Sequence, residues 1–133
     1  MNTKAVASTV VAILAIAVAP LAASADKAAG GWAATASMSS ARAHMTATSL
    51  ANGRILVVGG VGERTTELYD PTTGTWIAGG VLNQPRWLHV AVRLQDGRVL
   101  VAGGGAYTPT AELYDPTTNR WTTTGSMMRR YVV

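Results

Sequence analysis

After residue 31 the chain alternates short apolar runs with clusters of glycine, asparagine, aspartate, proline and threonine, and no apolar face recurs at the helical period. Runs of this length bounded by turn residues predict strands. Four of them recur in order. The first spans 45–50 and is matched by 89–94; Asn52-Gly53 and Asp96-Gly97 follow, dipeptides that supply the left-handed geometry of a tight hairpin turn. The second, 54–58 and 98–102, is continuously apolar after its arginine, the pattern of a strand covered on both faces. It ends at Gly59-Gly60 and at Gly103-Gly104. The third, 65–69 and 110–114, leads into Asp-Pro-Thr-Thr, where Asp70 and Asp115 are expected to accept backbone N–H bonds while Pro71 and Pro116 preset φ. The fourth begins at Trp76 and Trp121.

The recurrence is nearly literal. RILVVGG from Arg54 returns as RVLVAGG from Arg98, 44 residues on, and ELYDPTT from Glu67 returns unchanged from Glu112, 45 residues on. The extra residue falls between the double glycine and the next strand, where a loop absorbs it. A fixed period of this size signals repeat architecture. Two four-stranded antiparallel meanders in tandem predict an all-β fold built from β-propeller blades.

A double glycine after an apolar strand, then a tyrosine, then a tryptophan after six intervening residues, resembles the kelch signature. Gly59, Gly60, Tyr69 and Trp76 fit it, and Gly103, Gly104, Tyr114 and Trp121 fit it again; Arg42 and Arg86 match the arginine that opens a kelch unit. The chain resembles kelch blades of the galactose oxidase-like central domain over about residues 32–130. The resemblance implies a partial kelch-type propeller, with blade 1 at 42–82 and blade 2 at 86–127. Residues 26–41 are expected to hold part of an earlier blade, with a fourth strand from Trp32, and 128–133 the start of a further one. Propellers close with about four to eight blades. Two explanations remain open: truncation of a longer reading frame, or assembly of copies through exposed blade faces. Truncation is favoured, because a unit that assembles alone needs capped ends.

The N-terminus adds a targeting signal. Lys4 precedes an uncharged apolar run from Ala5 to Ala19, Pro20 breaks it, and Ala23-Ser24-Ala25 has the small-x-small pattern of a cleavage site. Residues 1–25 therefore read as a signal-peptide helix removed before Asp26, sending the protein to the periplasm, the cell envelope or the medium, with no membrane attachment after cleavage. The net charge of +4 is scattered, with Arg129-Arg130 as the only basic pair, so no nucleic-acid footprint is present.

Candidate chemistry is thin. A copper-radical oxidase of the galactose oxidase kind needs a cysteine-crosslinked tyrosine, and this chain has no cysteine. The two histidines, His44 and His89, are out of register, so no metal or other cofactor is expected. Residues that recur in each blade, namely Glu67, Asp70, Glu112, Asp115 and the Tyr–Trp pairs, belong to the scaffold: the aspartates as turn acceptors, the glutamates as partners for arginine or backbone donors, and the aromatics, Trp32 included, as packing between blades. Trp87, His89 and Tyr107 do not recur and lie near the strand expected to line the channel or in the inserted loop. They form the candidate binding surface, since non-repeating loop residues carry function more often than scaffold residues. The sequence thus predicts a non-enzymatic module for an unknown protein or carbohydrate ligand, with part of a secreted carbohydrate oxidase as the alternative.

Overall fold

The computed structural model describes residues 31–105 and 108–128. The expected signal segment, Tyr107 and residues 129–133 lie outside the described residues. Both sheets belong to one unit, which starts at Ala34.

Eight strands run in sequence: β1 Thr46–Ser49, β2 Ile55–Val58, β3 Thr65–Asp70, β4 Thr75–Val81, β5 Val90–Arg93, β6 Val99–Ala102, β7 Thr110–Asp115 and β8 Arg120–Ser126. They form two sheets ordered β1-β2-β3-β4 and β5-β6-β7-β8, every pair antiparallel. No α-helix occurs among the described residues, and none there is long and apolar enough to cross a membrane. The expected all-β pair of four-stranded blades is therefore found. The hairpin turns at Gly53 and Gly97 have φ of 84° and 89°, the left-handed region that glycine enters without steric penalty. Each β3–β4 and β7–β8 ladder carries the same irregularity, between Thr65 and Glu67 and between Thr110 and Glu112. The loop from β2 to β3 covers residues 59–64 and that from β6 to β7 covers 103–109, so the one-residue difference in period sits in this loop.

Opposed residues in an antiparallel pair share a face. In blade 1 one face carries Thr46, Thr48, Leu56, Val58, Thr66 and Leu68. Blade 2 lays its Val101, Glu112, Tyr114 and Trp121 face against it, with β1 beside β5 and β4 beside β8. The core is this junction: Leu56, Val58, Leu68 and Leu82 from one side meet Val99, Val101, Tyr114 and Trp121 from the other. β2 is covered on both faces, as its continuous apolar run predicts. β6 is covered on one, so Val99 and Val101 are sealed while Leu100 and Ala102 remain half-buried.

Residues 31–45 make no strand. A strand needs a ladder partner, and none of the described residues pairs with this segment, so the fourth strand expected from Trp32 is absent. Trp32 itself is fully exposed and packs between no blades. Residues 35–42 lie instead along the free face of blade 1: Thr35 Oγ1 bonds the Tyr69 hydroxyl at 2.8 Å, and the Trp76 indole N–H donates to Ala36 O at 2.8 Å.

Candidate functional site

Arg86, in the segment joining the blades, is fully buried. Its guanidinium donates to Glu112 Oε1 at 3.1 Å, to Gly103 O and Thr110 O at 2.9 Å each, and to Thr110 Oγ1 at 2.8 Å. Glu112 Oε2 accepts from the Asn83 backbone N–H at 2.8 Å. Both charged side chains are almost wholly buried. Arg42 repeats the arrangement on blade 1, donating to Glu67, Gly59 O, Thr65 O and Thr65 Oγ1, while Ser39 N–H donates to Glu67. Burial raises the Glu67 pKa, but the Ser39 N–H and the Arg42 guanidinium outweigh it and hold the carboxyl below its ordinary value. A planar fork with fixed donors suits such a site, because a buried ion pair is tolerated only when its remaining polar atoms are also bonded. The recurring glutamates are thus ligated by arginine in both blades.

The double glycines complete the clasp. Gly60 N–H donates to Arg86 O at 2.9 Å, so the linker lies on the end of β2. Gly59 stands at φ 65°, and a methyl group there would run into that same carbonyl oxygen. Glycine is required by the close approach as much as by the dihedral.

Asp70 accepts from Thr72 N–H at 2.9 Å and Asp115 from Thr117 N–H at 2.8 Å. These backbone donors are the leading reason that both carboxyls lie below their ordinary pKa. The aromatic pairs also recur in geometry: ring centroids stand 5.0 Å apart in Tyr69–Trp76 and 5.1 Å in Tyr114–Trp121, both tilted. Their surroundings differ. Tyr114 and Trp121 are sealed in the junction, whereas Tyr69 and Trp76 are half-buried under residues 35 and 36.

Of the three non-repeating candidates, Trp87 and His89 line no common cleft. His89 precedes β5 rather than lying on it, and is buried against blade 1, sharing a 2.7 Å hydrogen bond between Nε2 and Thr46 Oγ1. Burial, followed by the neighbouring Arg86 charge, pushes its pKa down to about 4. Its Nδ1 is buried without a partner. Trp87 is half-buried in the linker; its carbonyl accepts Gly105 N–H at 2.7 Å and its ring lies against Gly105 so closely that no side chain fits there. Tyr107 belongs by sequence to that same 103–109 loop but lies outside the described residues. A cleft of about 240 Å³ beside His89 is lined by His44, Met45, Leu88 and Val90, and does not reach Trp87. A larger one, about 330 Å³, lies along β4 among Ser37, Ser39, Glu67, Trp76 and Ile77. His44 and Leu88 both have positive φ, 57° and 53°. Their recurrence at a spacing of 44 makes this a property of the blade start rather than of a site. The glutamates are expected from the sequence to meet arginine or backbone donors; the structure identifies the partners as Arg42 for Glu67 and Arg86 for Glu112, a pairing whose signal is their parallel recurrence.

Copper does not suit these residues. The chain has no cysteine, His89 Nε2 is taken by Thr46, and no three His, Cys, Asp or Glu side chains among the described residues stand together as a metal would require.

Comparison with known proteins agrees with the geometry. The Kelch motif family matches residues 86–128. Among solved structures, the chain is similar to a fungal alcohol oxidase of the AA5 family determined in complex with copper, at 29% identity and a TM-score of 0.54. That match covers 59% of this chain and 18% of the oxidase. No curated protein matches. Repeated double glycines, tilted Tyr–Trp pairs and arginine clasps, with the family match over the second sheet, make the two sheets kelch-type β-propeller blades.

Proposed function

We propose that the protein is an exported kelch-type binding module without a catalytic site of its own, and that its ligand is a protein or a surface glycan met outside the cytoplasm. One observation carries this reading: the charged groups that recur are already engaged within the scaffold. Glu67 and Glu112 are held by arginine and backbone N–H groups, and Asp70 and Asp115 by turn amides. What varies between blades is the loop after each double glycine and the linker tryptophan beneath it. Loops on a rigid scaffold are where recognition concentrates. The ligand surface we assign is therefore Trp87 with the 103–109 loop, including Tyr107; His89 supports it from inside the junction. The test is a glycan array and an extracellular-protein pull-down with the secreted product, repeated with Trp87→Ala and Tyr107→Ala. Loss of a wild-type ligand in those variants supports the reading; ligands bound equally by all three overturn the assignment.

A second reading has one point in its favour, the similarity to the AA5 alcohol oxidase. Under it the two blades belong to the scaffold of a secreted oxidase and have no ligand of their own. The same glycan array and pull-down separate the two: a ligand lost in Trp87→Ala and Tyr107→Ala favours the binding module, and the absence of any ligand for the wild type favours the oxidase scaffold.

A further inference from the structure

The hairpin turns joining β1 to β2 and β5 to β6 share a geometry and differ in chemistry. Gly53 and Gly97 have nearly the same positive φ, and the residue before each folds its side chain back onto the backbone two residues on. Arg98 N–H donates to Asp96 Oδ1 at 3.0 Å, and Arg54 N–H donates to Asn52 Oδ1 at 3.1 Å. Blade 2 thus presents a carboxylate at this position and blade 1 a carboxamide. Asn52 and Gly53 are both exposed, and no atom stands within 4 Å of where a Gly53 Cβ would lie. The other two asparagines of the described residues are placed differently. Asn83 precedes Gln84, and its Nδ2 donates to Glu112 Oε2 and to Thr123 Oγ1 at 3.0 Å each. Asn119 precedes Arg120; its Oδ1 accepts the Tyr114 hydroxyl at 2.8 Å and its Nδ2 donates to Ala78 O at 3.3 Å. For Asn52 the described residues supply a partner to Oδ1 alone.

We propose that Asn52 is a self-modification site, where the carboxamide closes onto the Gly53 nitrogen and converts the blade 1 turn to the acid form that blade 2 already carries. The reaction needs only hydroxide and water. Hydroxide takes the Gly53 amide proton, and the nitrogen attacks Asn52 Cγ, forming the C–N bond of a cyclic succinimide. Nδ2 leaves as ammonia, taking up a proton from water. Water then adds to one ring carbonyl and breaks that carbon's bond to nitrogen. Opening at Cγ leaves aspartate; opening at the main-chain carbonyl of residue 52 leaves the β-linked isoaspartate. In sum, an amide and water become a carboxylic acid and ammonia. Three features favour the reaction here. Glycine puts no side chain between Cγ and the attacking nitrogen. The Arg54 N–H on Oδ1 stabilises the negative charge that develops on that oxygen as Cγ is attacked. Exposure admits hydroxide and water. One feature opposes it: Gly53 N–H donates to Leu50 O at 3.1 Å, so the turn must open first, and local opening costs little at an exposed loop tip. The aspartate product stands to Arg54 as Asp96 stands to Arg98, whose Nε donates to it at 2.8 Å. It therefore offers Arg54, now 3.1 Å from Asp70, a second carboxylate. The inference is independent of any ligand surface at Trp87.

Peptide mapping by mass spectrometry tests it, on the purified full chain incubated in mildly alkaline buffer under native conditions. Acid is expected to accumulate at residue 52, as aspartate and isoaspartate, while Asn83 and Asn119 stay amides. Gly53→Ala, which sets a methyl group beside the attacking nitrogen, should slow the conversion about tenfold or more. Asn52→Asp serves as the product standard. It should give the circular dichroism of the fresh wild type, because blade 2 builds the same turn on Asp96-Gly97, and it should co-elute on ion exchange with the aspartate form of the aged chain. Asn52 that remains an amide overturns the proposal. So does conversion of Asn83 or Asn119 at the same rate, conversion unchanged by Gly53→Ala, or an Asn52→Asp chain that does not fold.

Discussion

The junction between the blades rests on a few residues whose individual contributions can be tested. Arg86→Ala leaves the buried Glu112 carboxylate without its cation, with only the Asn83 N–H donors to hold it, and breaking a buried pair from one side costs about 3–5 kcal/mol; urea unfolding of the variant should show a loss of that order. Arg86→Lys should recover little of it, because an ammonium cannot span the carboxylate and the two carbonyls together. His89 gives a pH signature. Its folded pKa of about 4 lies below the ordinary 6.5, so the folded state binds fewer protons than the unfolded chain. The junction is therefore at full strength above pH 6.5 and weakens as pH falls from there to 4. Melting temperature measured across that range should decline, and His89→Gln should flatten its share of the slope. None of this was legible for His89 from its letter alone. Met45 occupies the equivalent position and is 39% exposed. The difference lies in the neighbour: β1 covers His89, and no described strand covers Met45.

At the scale of the strand and turn, the pattern spoke more clearly. All eight strands followed from apolar runs and turn residues because a hairpin meander is made of local pairings. The segment from Trp32 failed for the same reason in reverse. Its letters resemble a fourth strand, but a strand exists only by virtue of a ladder, and letters do not supply a partner. Identical positions also chose different company: Arg54 pairs with Asp70, whereas Arg98 pairs with Asp96, which stands where blade 1 has Asn52. Arg98–Asp96 is exposed and Arg54–Asp70 only partly covered, and ion pairs near the surface contribute little to stability. The glycines separate backbone strain from crowding. Gly53→Ala meets no neighbouring atom, so it should cost only the left-handed strain of about 1–2 kcal/mol. Gly59→Ala adds a collision with the Arg86 carbonyl and should cost clearly more in the same denaturation assay.

For the two-blade unit as a whole, the repeat makes equivalent tryptophans unequal. Trp121 is sealed between the sheets, its indole 3.5 Å from Thr66 Oγ1, while Trp76 lies half-open under an extended segment. Trp121→Ala should cost about 3–5 kcal/mol, as for other large side chains removed from a core, and Trp76→Ala less. Tryptophan fluorescence with urea titration reads both. The architecture at this scale was visible in the duplicated letters, but which faces would be covered was not, since that depends on what stands next to each blade. One residue ties the two sheets together. The carbonyl of Arg86 is held by Gly60 of blade 1, while its side chain is held by Gly103, Thr110 and Glu112 of blade 2. Neither sheet can open without loosening that shared rivet, so heat should dissolve both in one calorimetric peak, and a protease given the native protein should find no surviving half.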